Sequence, residues 1–261
     1  MPLSEEKGEK MSILDTISKP KNRPIVATII GDAGLGKTSL AATFPKPIFI
    51  RAEDGLSSIP EAYRPDAFPR LNSVPDLWDQ VTALIKEDHA YETVVIDSVT
   101  ALEVLFGEHV LETDPKKPKG LQQAHGGYGA GRDMVAGLHR RLRKAAEILV
   151  EQGMNVVFVA HADTVRIEPP DADPYTKYTM RLHEKSMQPY VDNVDLVGFL
   201  RLETFVTGDG ERKKAISDGT RQLVCHAVAS NVSKNRFGIS EPIEVKLGEN
   251  PLAGMIPQLK G

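Results

Sequence analysis

Gly31-Asp32-Ala33-Gly34-Leu35-Gly36-Lys37-Thr38 fits the pattern G-x-x-x-x-G-K-[ST], and its flanks decide the fold. Ahead of it, Pro24–Ile30 reads as a buried strand; behind it, Lys37–Thr43 reads as the opening turns of a helix. A strand, a glycine-rich turn and a helix in that order make a phosphate-binding loop. Gly31, Gly34 and Gly36 permit backbone geometry that a Cβ forbids, so successive N–H groups can converge on phosphate oxygens. Asp32, Ala33, Leu35 and Ser39 complete the expected cradle. Lys37 is expected to reach the β/γ-phosphates of ATP, and the Thr38 hydroxyl to sit on Mg²⁺.

Outward from this loop, apolar runs alternate with helical patterns. Strands are expected at Pro47–Arg51, Thr93–Ile96, Asn155–Ala160 and Leu196–Leu202, with helices at Val74–Glu87, Val99–Glu112 and Arg132–Gln152. Val135, Leu138, Leu142, Ala145 and Leu149 form a 3.6-residue stripe along the last helix. Strands apolar nearly throughout suit a mostly parallel sheet covered on both faces, so the fold class is α/β. Beyond residue 196, Leu196–Val206, a turn at Gly208-Asp209-Gly210 and Arg221–Ala229 read as antiparallel edge strands. Thr113–Gly131 and Asp163–Lys177 read as two long loops, and loops of that length are often functional.

Composition sets the bounds. The chain has 261 residues, 41% apolar and 26% charged, with net charge −4. That is an ordinary globular profile, long enough for one sizeable α/β domain. The pI is about 6.0, whereas domains that bind nucleic acid through overall charge usually exceed about 9. Any DNA contact must therefore come from a local basic patch. A single cysteine, Cys225, forms no internal disulfide and suits a reducing cytoplasm. No apolar run approaches the roughly 20 residues that span a bilayer, so no membrane association is expected. Residues 1–22 are polar, lack the apolar core of a signal peptide and read as a flexible arm with a short helix at Ser12–Ser18. Residues 23–247 are expected to form the α/β domain and 248–261 a C-terminal tail.

A phosphate loop needs an acid at the end of a neighbouring strand to organise Mg²⁺. Thr93-Val94-Val95-Ile96-Asp97-Ser98 supplies it in Asp97, which also fits a cap for the helix that follows. Glu53, after the second strand, lies where ligands bind at the carboxyl edge of a parallel sheet and is the expected base; Asp54 is its neighbour.

This constellation resembles the RecA-like ATPases. Ala52-Glu53 matches that family's catalytic Glu, Val95-Ile96-Asp97-Ser98-Val99 its Walker B strand, and Val157-Phe158-Val159-Ala160-His161 the strand whose end carries the γ-phosphate sensor. Bacterial recombinases have Gln at that end and this chain has His161, whose ring N–H can serve as the donor. Lys234-Asn235-Arg236 resembles the Lys-Asn-Lys stretch through which cations of one subunit reach the ATP of the next. The resemblance thus implies that Lys234 and Arg236 act in trans. Together with Gly126-Gly127-Tyr128-Gly129-Ala130-Gly131, the pattern is similar to phage-encoded, Sak-type RecA-like single-strand annealing proteins over roughly residues 23–247. The resemblance implies a homo-oligomer, ring or filament, with shared ATP sites, DNA-stimulated ATP hydrolysis, ssDNA binding, strand annealing or exchange, and help from a single-strand-binding protein in the host cytoplasm. Lys116, Lys117 and Lys119, with Tyr128 as a stacking platform, and Arg166, Lys177 and Arg181 are the candidate DNA contacts. A helicase loader, a packaging-type motor, or a nucleotide-gated binding module with little turnover shares the same core.

Overall fold

A computed structural model of the chain describes residues 12–19, 22–207 and 214–260. Five strands form its parallel centre: β1 (Val26–Gly31), β2 (Pro47–Arg51), β4 (Thr93–Asp97), β5 (Asn155–Ile167) and β7 (Leu196–Leu202). A two-residue β3 (Asp66–Ala67) extends the β2 edge in parallel, and the central order is β3-β2-β4-β5-β1-β7. Beyond β7 the sheet turns antiparallel with β10 (Arg221–Val224) and β12 (Ile243–Glu244), while β11 (Lys234–Asn235) also pairs with β7.

Strand residues alternate between two cores, which is why the strands are apolar on both faces. Val94, Ile96, Val156, Phe158 and Ala160 face α2 (Val74–Lys86), α3 (Val99–Thr113) and α4 (Ala130–Glu151). Ile29, Val95, Val157 and Val159 face α1 (Lys37–Ala41) together with Leu252, Ile256 and Leu259. Those last three lie in the segment read from sequence as a tail, and each is buried. Fully burying such a side chain stabilises by about 1.5–3 kcal/mol.

The helices start where their capping chemistry dictates. Ser73 and Asp76 form a reciprocal capping box at α2, and the Ser98 hydroxyl accepts from Ala101 N at the start of α3. The buried face of α4 departs from the stripe read in the sequence. His139 and Arg143 lie on it, while Leu138 and Ala145 are only partly buried. Buried polar groups need partners, and His139 has them: Nδ1 meets Tyr190 Oη at 2.6 Å and Nε2 meets Glu103 Oε2 at 2.8 Å.

Asp163–Lys177 is not a loop. β5 runs through His161 to Ile167 and returns as the antiparallel β6 (Tyr175–Met180), leaving only residues 168–174 as the turn. Pro169-Pro170 and the acids set that turn, whereas Thr164-Val165-Arg166-Ile167 and Tyr175–Tyr178 have strand-forming side chains. The expected strand Leu196–Val206 breaks after Leu202; Phe205–Thr207 forms β8, which among the described residues pairs only with β9 (Lys214–Ile216). The turn at Gly208-Asp209-Gly210 lies outside the described residues. A 3₁₀ turn at Ile13–Thr16 stands in place of the helix expected at Ser12–Ser18.

Candidate active site

Register brings the chemistry to one edge. Gly31 pairs with His161, Arg51 with Asp97, and Asp97 with Val159. The carboxyl ends of β1, β2, β4 and β5 therefore open together, with Glu53 two residues past β2. A cleft of about 440 Å³ lies there, lined by Gly34, Gly36, Lys37, Thr38, Glu53 and Asp97 among others.

The loop's glycines answer to space and to backbone. A Cβ on Gly31 would sit 2.6 Å from the Leu200 carbonyl oxygen, and Gly34 and Gly36 hold φ +79 and +90. That left-handed region is costly for any other residue. Gly36 hands over to α1, whose first residue, Lys37, is 5% exposed and donates from Nζ to the Asp32 carbonyl at 2.9 Å. Burial lowers the Lys37 pKa, while Asp97, Glu53 and Asp32 oppose that shift.

Thr38 Oγ1 donates to Asp97 Oδ2 at 2.8 Å. Asp97 is 2% exposed, and its Oδ1 is buried with no hydrogen-bond partner among the described residues. Burial raises its pKa to about 6, with Glu53 adding to the rise while Thr38 and Lys37 oppose it. A Cβ on Gly55 would lie 3.1 Å from Thr38 Oγ1 and 3.6 Å from Asp97 Oδ2, so glycine keeps open the space beside both oxygens. A hydroxyl and a carboxylate oxygen 2.8 Å apart, with room alongside both, fit Mg²⁺, which takes oxygen ligands and retains waters. Thr38 and Asp97 would hold it, and the ion would supply neutralisation of phosphate charge.

Glu53 and His161 form a pair. His161 Nε2 lies 3.1 Å from Glu53 Oε1 and 3.3 Å from Oε2, so that ring nitrogen donates to the carboxylate. The Glu53 pKa is lowered, first by this bond, then by the Ser98 hydroxyl and the charge of Lys37, against the opposing effect of burial. Main-chain bonds set both partners: Ala52 N and Glu53 N donate to the Asp97 carbonyl at 2.8 and 3.3 Å, and His161 N donates to Thr100 Oγ1 at 2.9 Å. The His161 carbonyl accepts from Arg181 N at 2.8 Å, where the β5–β6 hairpin departs.

Lys234 and Arg236 are not in this cleft. β11 pairs with Val197 and Leu196, at the end of β7 opposite to Leu200, which faces Gly31. Lys234 Nζ donates to the Val191 and Asp192 carbonyls at 3.1 and 2.6 Å, and Arg236 meets Asp195 Oδ1 at 3.0 Å. Among the candidate DNA contacts, Lys116, Lys117, Lys119, Arg166 and Arg181 are exposed, and Tyr128 is fully so. Three site residues escaped the sequence reading: Thr100, Gly55 and Arg221. Thr100 sits one helical step past Asp97-Ser98, where a hydroxyl facing the next strand could have been read; Arg221 carried no local signal.

A sheet of this order, with Lys37 and Thr38 facing a carboxylate across a glycine loop, defines a P-loop NTPase. A family model described as an AAA domain matches residues 23–237, and the chain belongs to that family, which implies nucleotide binding and usually Mg²⁺. The chain is 27% identical over 180 residues to the SPbeta prophage-derived uncharacterized protein YorG of Bacillus subtilis (strain 168). That alignment covers 67% of this chain and 50% of YorG, so the chain spans about half the length of this relative. It is also similar to the KaiC-like protein PH0186 from Pyrococcus horikoshii OT3, at 14% identity, 87% coverage of each chain and a TM-score of 0.46. Among the described residues no helix is long and apolar enough to cross a membrane.

Proposed function

We propose that the chain hydrolyses ATP in this cleft and uses it to bind ssDNA as an oligomer, promoting strand annealing or exchange in phage recombination. The observation that carries the hydrolytic part is the Glu53–His161 pair, 3.1 Å apart, on the same edge as Lys37, Thr38 and Asp97. Glu53 is held anionic, so it can orient a water molecule and accept its proton. His161 steadies that carboxylate and offers an N–H donor that can turn to the terminal phosphate, a sensing role.

The DNA-directed part draws support from two surfaces. The β5–β6 hairpin leaves the cleft directly from His161 and carries Arg166, Lys177 and the partly exposed Tyr175 and Tyr178. Tyr128 and the three lysines of residues 116–119 stand on the other segment. Aromatic platforms beside cations suit single strands, since each stacked base contributes about 1–3 kcal/mol irrespective of sequence. The prophage origin of YorG favours a phage setting, in which the protein would work in the host cytoplasm beside a single-strand-binding protein. In the oligomer, ring or filament, Lys234 and Arg236 of one subunit would complete the ATP site of the next.

ATP turnover measured with and without ssDNA, together with retention of labelled ssDNA, tests this function. Stimulated turnover and ATP-dependent retention are expected; no stimulation together with no retention would sink it.

A further inference from the structure

Arg221 is fixed at the antiparallel edge of the sheet. It pairs with Leu202 across β10 and β7, and its carbonyl accepts from Val245 N at 2.8 Å. From there its side chain reaches back over the phosphate loop. Nη1 lies 3.4 Å from the Leu35 carbonyl oxygen, and a Cβ on Gly36 would be 2.6 Å from it. Arg221 thus lines the same cleft as Lys37 and Asp97.

Its bonding is incomplete. A guanidinium carries five N–H donors, and among the described residues only the long contact to Leu35 is made, with no carboxylate in ion-pair range. Lys37, by contrast, lies among Asp97, Glu53 and Asp32. The cleft therefore holds one cation surrounded by acids and a second that lacks a counter-ion among the described residues. In a phosphate loop the backbone cradles the α/β-phosphates while the lysine reaches β/γ. Gly36 belongs to that backbone cradle, and Arg221 Nη1 lies beside it.

We propose that Arg221 is a nucleotide ligand acting in cis, neutralising the α/β-phosphate end of the bound nucleotide from the Gly36 flank of the loop. The site takes nucleoside di- and triphosphates through the phosphates they share. The inference rests on nucleotide binding at the loop, and the test separates the two.

Affinities of wild type, Arg221→Ala, Arg221→Gln and Arg221→Lys for fluorescent ATP and ADP, with Mg²⁺, are the readout, beside the Tm of each nucleotide-free protein. A charge-assisted bond to phosphate predicts that Arg221→Ala and Arg221→Gln lose roughly 10-fold or more for ATP and ADP alike, with Tm little changed, and that Arg221→Lys recovers part of the loss. Gln keeps a donor for the Leu35 carbonyl but no charge, so wild-type affinity in Arg221→Gln would mean that Arg221 only braces the loop and would overturn the proposal. A loss confined to ATP would also overturn it, by moving the contact to the γ-phosphate. Failure of the wild type to bind either nucleotide would instead overturn the function on which the inference rests.

Discussion

The two ends of the central strands are built on opposite terms. At the carboxyl end, charges are gathered with few bonds among the described residues: Asp97 has a buried oxygen without a partner, Lys37 is buried among acids, and Arg221 makes only its long contact to the Leu35 carbonyl. At the amino end Asp195, Arg236 and Lys234 find partners within the chain, although Arg143 Nε and Nη1 are buried without a hydrogen bond among the described residues. Asp195 accepts from Arg23 Nη2, Arg236 Nη1 and Val26 N at 2.9, 3.0 and 2.9 Å, while Lys234 is tied to two carbonyls. At this second end Lys234 and Arg236 are already bonded, so action in trans would require them to exchange bonds within their own subunit for bonds to the next subunit's nucleotide.

Four substitutions sharpen that contrast. The largest effect on binding belongs to Lys37→Ala, which leaves Asp97, Glu53 and the phosphates without their cation. A loss of about 10³-fold in ATP affinity is expected by equilibrium titration, from the 3–5 kcal/mol typical of breaking a buried charged pair. At the far edge, Arg236→Ala should leave ATP affinity unchanged and slow turnover by about 10³-fold, the lower range for arginine fingers. Mixing Arg236→Ala with Lys37→Ala protein should restore part of the activity, because one supplies intact loops and the other intact cations. No restoration, or undiminished turnover in Arg236→Ala, would leave the amino edge with its structural bonds alone.

His161→Ala should reduce turnover by roughly 10-fold to 100-fold with little change in affinity, within the range for loss of one positioned polar group. The last effect is on stability rather than turnover. The folded Asp97 pKa of about 6 exceeds its ordinary value of 3.8, so folding favours the protonated form. The stability associated with this proton is complete below about pH 3.8 and is lost as pH rises through about 6. That gap is on the order of 3 kcal/mol. Nucleotide-free, Mg²⁺-free Asp97→Asn should therefore melt roughly 5 °C above wild type at pH 8, with the difference shrinking at pH 5. Calorimetry at both pH values reads this directly, and a destabilised Asp97→Asn at pH 8 would contradict it.

The carboxyl edge was legible in the sequence because each of its parts ends an apolar run. Parallel register then brings Gly31, Glu53, Asp97 and His161 together without further information. Arg221 was not legible: it lies 185 residues from Gly36, on an edge strand whose pairing depends on tertiary structure. The hairpin after His161 was hidden because its Pro-rich turn outweighs two short strands that have no core to mark them. The place of His139 and Arg143 on the buried face of α4 carried no signal, because polarity argues for exposure until a partner such as Glu103 for His139 is known. Leu252, Ile256 and Leu259, spaced four and three residues apart in a segment rich in Gly and Pro, gave no strand or helix period long enough to signal burial.

In the proposed reaction Glu53, steadied by His161, activates water for hydrolysis in a site that binds nucleotide without its help. The most direct measurement is ATP turnover and ATP affinity of Glu53→Gln beside wild type, in Mg²⁺ and ssDNA. Turnover should fall at least about 100-fold while affinity stays within about threefold, since Gln preserves shape and hydrogen bonding. Wild-type turnover in Glu53→Gln would contradict the assignment and return the role of base to another residue of the cleft.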